Sequence, residues 1–105
     1  MVLAKTSRFG KKEIWMADLA KALSHPVRIK ILQILSKKNT CICGELVELL
    51  PLAQSTVSQH LKELKRVGLI RGDIEGPRTC YCLDENVLEK ARVAFTDLFS
   101  TICKC

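Results

Sequence analysis

Gly44-Glu45-Leu46-Val47-Glu48-Leu49-Leu50-Pro51-Leu52-Ala53-Gln54-Ser55-Thr56-Val57-Ser58-Gln59-His60-Leu61-Lys62-Glu63-Leu64-Lys65-Arg66-Val67-Gly68 carries two helical patterns divided by a turn. Leu46, Val47 and Leu50 are the apolar positions of a short helix over 44–50, and Pro51-Leu52-Ala53 is the turn. From Gln54 to Val67 the apolar residues Val57, Leu61 and Leu64 recur at i, i+4 and i+7, which predicts a regular helix with one buried face. Gly68 is a natural stop, because glycine takes the left-handed conformation that closes many helices. The opposite face carries Ser55, Ser58, Gln59, Lys62 and Arg66, with Gln54 and Thr56 at its start. Small hydroxyls and amides near a helix N-terminus can approach base edges or phosphates, since the dipole there favours anions. Glutamine can pair bidentately with adenine, whereas serine and threonine are less selective. A plain solvated face is the alternative for the same residues.

Upstream, residues 13–23 read as a first helix with Ile14, Trp15, Leu19 and Ala22 in its apolar stripe. Ser24-His25-Pro26 interrupts it, because the residue before a proline is pushed out of the helical region. Pro26 suits the first turn of a second helix. Val27, Ile29, Ile31, Leu32, Ile34 and Leu35 cover more than one stripe of that helix, which predicts a central, buried position. Residues 36–40 end it in a polar connection, and Cys41-Ile42-Cys43 is either extended or a helix start. Downstream, strands over 69–73 and 78–83 are joined by Ile74-Glu75-Gly76-Pro77, whose glycine and proline mark a hairpin turn. A last helix over 84–101 lines up Val87, Leu88, Ala91, Ala94, Phe95, Leu98 and Ile102. The order short helix, turn, long helix, basic hairpin is that of a winged helix-turn-helix: mainly α with a small β-hairpin wing. Arg71 and Arg78 flank the wing turn, where they could hold phosphates.

With 105 residues there is room for one domain and one core. The expected division is a basic flexible arm over 1–12, the DNA-binding and dimerisation domain over 13–102, and a Cys-x-Cys tail over 103–105. Seventeen basic against 11 acidic residues give a net charge of +6, which attracts polyanions by releasing their counterions. No apolar run approaches the roughly 20 residues of a membrane span. The N-terminal dozen lacks the apolar region and cleavage site of a signal peptide, so a cytoplasmic protein is expected. In that compartment six cysteines are not expected to form three structural disulfides.

Ser24-His25-Pro26-Val27-Arg28-Ile29-Lys30-Ile31-Leu32, Gln54-Ser55-Thr56-Val57-Ser58-Gln59-His60-Leu61-Lys62 and Val67-Gly68-Leu69-Ile70, in that order, resemble the ArsR family of winged-helix metalloregulators. The resemblance covers roughly residues 13 to 100. It implies a homodimer joined through the first and last helices, with the 54–67 helix in the major groove of operator DNA and the wing near the backbone. It also implies that His25 and His60 are scaffold or phosphate-contacting residues and not metal ligands. Relatives often place a serine N-cap before this helix; Ala53 cannot cap through its side chain.

All six cysteines occur as Cys-x-Cys: Cys41/Cys43, Cys80/Cys82 and Cys103/Cys105. In extended backbone, residues two apart face the same side, so each pair can present two sulfurs to one soft ion. By the resemblance, Cys41 and Cys43 stand where arsenic- and cadmium/lead-sensing relatives carry a thiolate pair. Position 46 is leucine, where the best-known arsenic sensors have a third cysteine, so a third ligand must come from elsewhere. Cys103 and Cys105 form a terminal pair that could serve as a ligand arm or as an inconsequential tail. Cys80 and Cys82 alternate with Tyr81 and Leu83, and the resemblance places those two inward, leaving both cysteines outward; thiol chemistry, a separate ion and no role beyond lineage habit all stay open for them, and they should matter least to ion-driven release.

The expected function is that of a homodimeric repressor, requiring no cofactor to bind DNA and released by arsenite, antimonite, cadmium or lead. The expected DNA-binding residues are Gln54, Ser55, Thr56, Ser58, Gln59, His60, Lys62, Arg66, Arg71 and Arg78, and the expected ion ligands are Cys41, Cys43, Cys103 and Cys105. The alternative is a thiol-redox or persulfide sensor of the same fold. A thiol oxidoreductase is more remote, since no acid–base pair, pocket motif or cofactor loop supports catalysis.

Overall fold

The structure, a computed structural model, describes residues 8–38, 42–43, 46–73 and 80–103. Helix α1, Lys11–Ala22, begins two residues earlier than the periodicity predicts. Gly10 donates its N–H to Glu13 Oε1 at 2.9 Å, which draws Lys11 and Lys12 into the first turn. The Ser24-His25-Pro26 break is real, and His25 starts the next helix. Its Nδ1 accepts the Val27 N–H at 3.2 Å, and its carbonyl accepts from Arg28 and Ile29. Helix α2, Pro26–Lys38, follows, and runs through the serine and lysines expected to end it.

Ile42–Cys43 forms a short strand, β1, which settles the choice between extended chain and helix start. Helix α3, Leu46–Leu49, and the turn at Pro51 lead into helix α4, Gln54–Arg66. The end of α4 is a Schellman motif. Gly68 sits at φ +86°, its N–H donates to the Lys65 carbonyl at 3.0 Å, and the Leu69 N–H reaches the Leu64 carbonyl at 3.1 Å. That turn feeds strand β2, Ile70–Asp73, which pairs antiparallel with strand β3, Cys80–Leu83. Asp84 then caps helix α5, Glu85–Ile102, accepting the Asn86 and Val87 N–H groups on its side chain.

The wing carries a third strand. β1 pairs antiparallel with β3, giving the order β1-β3-β2 with Ile42 opposite Tyr81 and Cys43 opposite Cys80. A two-residue strand has too little alternation to announce itself, and its partner lies almost forty positions away. Gly72 makes the close approach on the other side of β3 possible: at φ +138° it faces the Cys80–Tyr81 backbone, where a Cβ would overlap the Cys80 carbonyl.

One core joins all of this. Leu19 of α1, Ile31 and Leu35 of α2, and Leu50 pack with Val57, Leu61 and Leu64 of α4, and with Leu69, Ile70 and Tyr81 of the sheet. Val87, Leu88, Ala91 and Phe95 of α5 pack against it half-buried, while Leu98, Phe99 and Ile102 stay exposed. No helix among the described residues is long and apolar enough to cross a membrane.

Leu64 has no exposed surface. Truncation to Leu64→Ala should cost about 2–5 kcal/mol in denaturant unfolding, the range for buried leucine cavities. A cost below about 1 kcal/mol would show that this face of α4 is not packed as described.

Candidate nucleic-acid interface

The division of α4 into two faces is sharp. Val57, Leu61 and Leu64 are fully buried, while Gln54, Ser55, Thr56, Gln59, Lys62, Lys65 and Arg66 are exposed, and Ser58 and His60 are half-buried. Ala53 precedes the helix in extended conformation and contributes no side-chain cap; only its carbonyl is engaged, by Thr56 and Val57 at 3.1 Å each. The first turn of α4 therefore holds backbone donors that the side chain of its own cap residue does not satisfy, beside the polar side chains of Gln54, Ser55 and Thr56. Such an end is suited to a phosphate oxygen.

Two polar links fix the attitude of α4 against the helices behind it. Arg28 of α2 donates through Nε to His60 Nδ1 at 3.1 Å and through Nη1 to the Ala22 carbonyl at 3.1 Å, tying the end of α1 to the middle of α4. The His25 and His60 rings lie 4.4 Å apart between centroids. Partial burial holds the His60 imidazole below its ordinary range, and the nearby His25 and Arg28 add to the effect. Neutral His60 can accept from Arg28; a doubly protonated ring cannot.

Arg66 makes the second link. Both terminal nitrogens donate to the Asp18 carboxylate of α1 at 2.9 Å, and Nε donates to Glu63 at 2.9 Å. These bonds hold the Asp18 and Glu63 carboxyls below the usual range and raise Arg66 further. The pair is solvent-exposed, so its value is orientation more than stability. Arg66 was expected on the reading face; the structure places it on this tether, its charge opposed by two carboxylates. Arg28 and Asp18 carried no signal of such a role in the sequence, since their partners lie 32 and 48 positions away.

Arg71 is exposed on β2, opposite Cys82 in the ladder. Arg78, Cys41 and Cys105 lie outside the described residues. Cys103, after α5, is a free, exposed thiol. Cys80 and Cys82, expected to face outward, are half-buried, and each is disulfide-bonded. Among the described residues no group of three or more His, Cys, Asp or Glu side chains is arranged to hold a metal ion.

A helix with one face locked in the core and a polar face beyond it, preceded by a short helix and followed by a wing, has a counterpart in known sequences. Residues 25–71 match the model of the arsR family of bacterial regulatory proteins. The HTH-type transcriptional regulator YgaV of Escherichia coli is 39% identical over 67 residues, 64% of this chain and 68% of that protein. The chain belongs to the ArsR family. This ArsR-family chain is also 41% identical over 71 residues to the HTH-type transcriptional repressor SmtB of Mycobacterium tuberculosis, covering 68% of the chain. It spans about half, 52%, of the length of SmtB. The solved structure of HlyU from Vibrio cholerae N16961 superposes with a TM-score of 0.65 at 30% identity, over 91% of this chain and 100% of that one. The matched stretch runs from the cap residue His25 to Arg71 and so contains α2, α3, α4 and the entrance to the wing, the elements that position the reading face.

The depressed His60 pKa sets a pH dependence. The unfolded chain takes up the proton near the ordinary value of about 6.5 while the folded chain resists it. Stability is therefore full above that value and declines as pH falls below it toward the folded value. Denaturant midpoints measured from pH 7.5 down to 5 should fall, and His60→Gln should flatten that decline. An unchanged slope in the variant would remove His60 from the account.

Proposed function

We propose that this chain is a homodimeric transcriptional repressor that reads operator DNA with α4 and lets go when a thiophilic ion binds its cysteine thiolates. One observation carries the first half: Gln54, Ser55, Thr56, Gln59 and Lys62 of α4 are exposed on a helix whose other face is fixed in the core. Gln54, Ser55, Thr56, Ser58, Gln59, His60 and Lys62 form the reading surface, with Arg71 and Arg78 of the wing on phosphates and Arg66 setting the tilt. Dimerisation is supported by the apolar surface left on the outer helices, Ile14 of α1 and Val93, Leu98, Phe99 and Ile102 of α5.

For release, the support is the position of β1. Cys43 stands just ahead of α3, and α3 packs on α4 through the Pro51 turn. An ion drawn to Cys41 and Cys43, with Cys103 and Cys105 as further candidate donors, pulls at the base of the reading helix. A second reading, release by thiol oxidation, is favoured by the disulfide bonding of Cys80 and Cys82. Arsenite, cadmium and peroxide added separately to the DNA complex distinguish the two: the ion mechanism predicts release by ions in the presence of a thiol reductant.

Gln59→Ala should relax base preference, because an amide reads a base edge, whereas Lys62→Ala should weaken all sequences alike and flatten the salt slope by about one unit. Unchanged affinity and preference in Gln59→Ala would take that side chain off the reading surface. Sedimentation should show a dimer at micromolar concentration, and Leu98→Glu with Phe99→Glu should give monomers with weakened operator binding. Dimers that persist in that variant would place the interface elsewhere.

A further inference from the structure

We infer that Asp18 of α1 and Glu63 of α4 mask Arg66 from the phosphates of DNA, and that this masking holds down the affinity of the chain for DNA of arbitrary sequence. The inference rests on the reading of α4 as the DNA-reading helix and adds the residues that limit its indiscriminate grip. Ser55, Gln59, Lys62 and Arg66 are spaced four, three and four residues apart, so the helical period lines them up on one outward stripe of α4. At 1.5 Å per residue, position 66 lies about 16 Å along that stripe from Ser55. The major groove is about 12 Å wide, so with the first turns on bases a cation at position 66 is placed for the bordering phosphates. An unopposed arginine there is a strong phosphate contact that is blind to sequence.

The guanidinium is engaged elsewhere. Nη1 and Nη2 donate to the two Asp18 oxygens at 2.9 Å each, a fork-to-fork pair, and Nε and Nη2 donate to Glu63 Oε1 at 2.9 and 2.5 Å. Four of the five guanidinium N–H groups are thus used on carboxylate. One cation against two carboxylates leaves this end of the stripe net negative, in a chain whose net charge is +6. Arg66 and Asp18 keep 46% and 42% of their side-chain surface exposed, so no wall of protein bars a phosphate; the carboxylates do. Glu63 makes the i, i+3 pairing common on helices, but Asp18 comes from another helix, 48 positions away, and completes the masking. A phosphate that takes Arg66 has to displace both carboxylates and approach their charge.

The test measures binding of the full chain to a mixed-sequence duplex between about 50 and 200 mM salt. Asp18→Asn with Glu63→Gln frees Arg66 and leaves it in place. The slope of log affinity against log salt should then steepen by about 0.9 unit per bound chain, the value of one further phosphate contact. Asp18→Asn alone, which keeps Glu63 bonded, should steepen it less. Arg66→Gln by itself should flatten the slope by less than half that amount, because the charge it removes is already answered, but should abolish the steepening in the carboxylate variant. This cycle separates masking from the mere loss of two negative charges. The links are exposed and add little to stability, so unfolding midpoints should stay close to the wild type in every variant. A slope unchanged by the carboxylate substitutions, or a steepening that persists without Arg66, overturns the masking; Lys62→Ala, by still flattening the slope, then keeps the α4 reading. Flattening by about one unit from Arg66→Gln in the wild-type background also overturns it, since Arg66 is then already on phosphate. A Lys62→Ala variant with the wild-type slope overturns both.

Discussion

Burial of Val57, Leu61 and Leu64 is the constraint on which everything else depends. The three residues place one face of α4 against Ile31 and Leu35 of the central helix and against Leu69 and Ile70 of the sheet. A helix 13 residues long is marginal by itself in water, so its packing gives it both existence and direction. Once that face is fixed, the helical period fixes the other, and Gln54, Ser55, Gln59 and Lys62 face outward together. The same burial places Leu64 and Leu69 in one cluster, which accompanies the Schellman turn and aims the chain into the wing.

Hydrophobic contact sets the face but leaves the helix free to roll or tilt slightly, since apolar contact has no direction. Arg28 and Arg66 supply direction. One holds the middle of α4 through neutral His60, the other holds its C-terminal end to Asp18. Both links are at least partly exposed to water, so they weigh little in stability and more in geometry.

Most of the fold was legible because its signals are local. The break at His25-Pro26, the i, i+4, i+7 spacing of α4, the stop at Gly68 and the hairpin signals each lie within a few residues of what they determine. The winged arrangement followed from their order. Two of the failures share one cause, sequence distance. β1 is two residues long and is defined by its pairing with β3, so neither its existence nor the meeting of Cys43 with Cys80 could be read locally. Arg66 looked like any exposed cation on a polar face, and only the fold reveals Asp18 beside it. Helix α1 gained its extra residues from a single side chain, Glu13, turning back on Gly10.

The proposed release requires the cysteine thiolates and the exposed face of α4 to be energetically coupled. Coupling is reciprocal: whatever factor the ion takes from operator affinity, the operator must take from ion affinity. The direct measurement is the arsenite affinity of the reduced chain, alone and saturated with operator DNA. The account predicts weaker ion binding on DNA by a factor of about 5–150, matching the loss of operator affinity caused by the ion. Equal arsenite affinities with and without operator would contradict it.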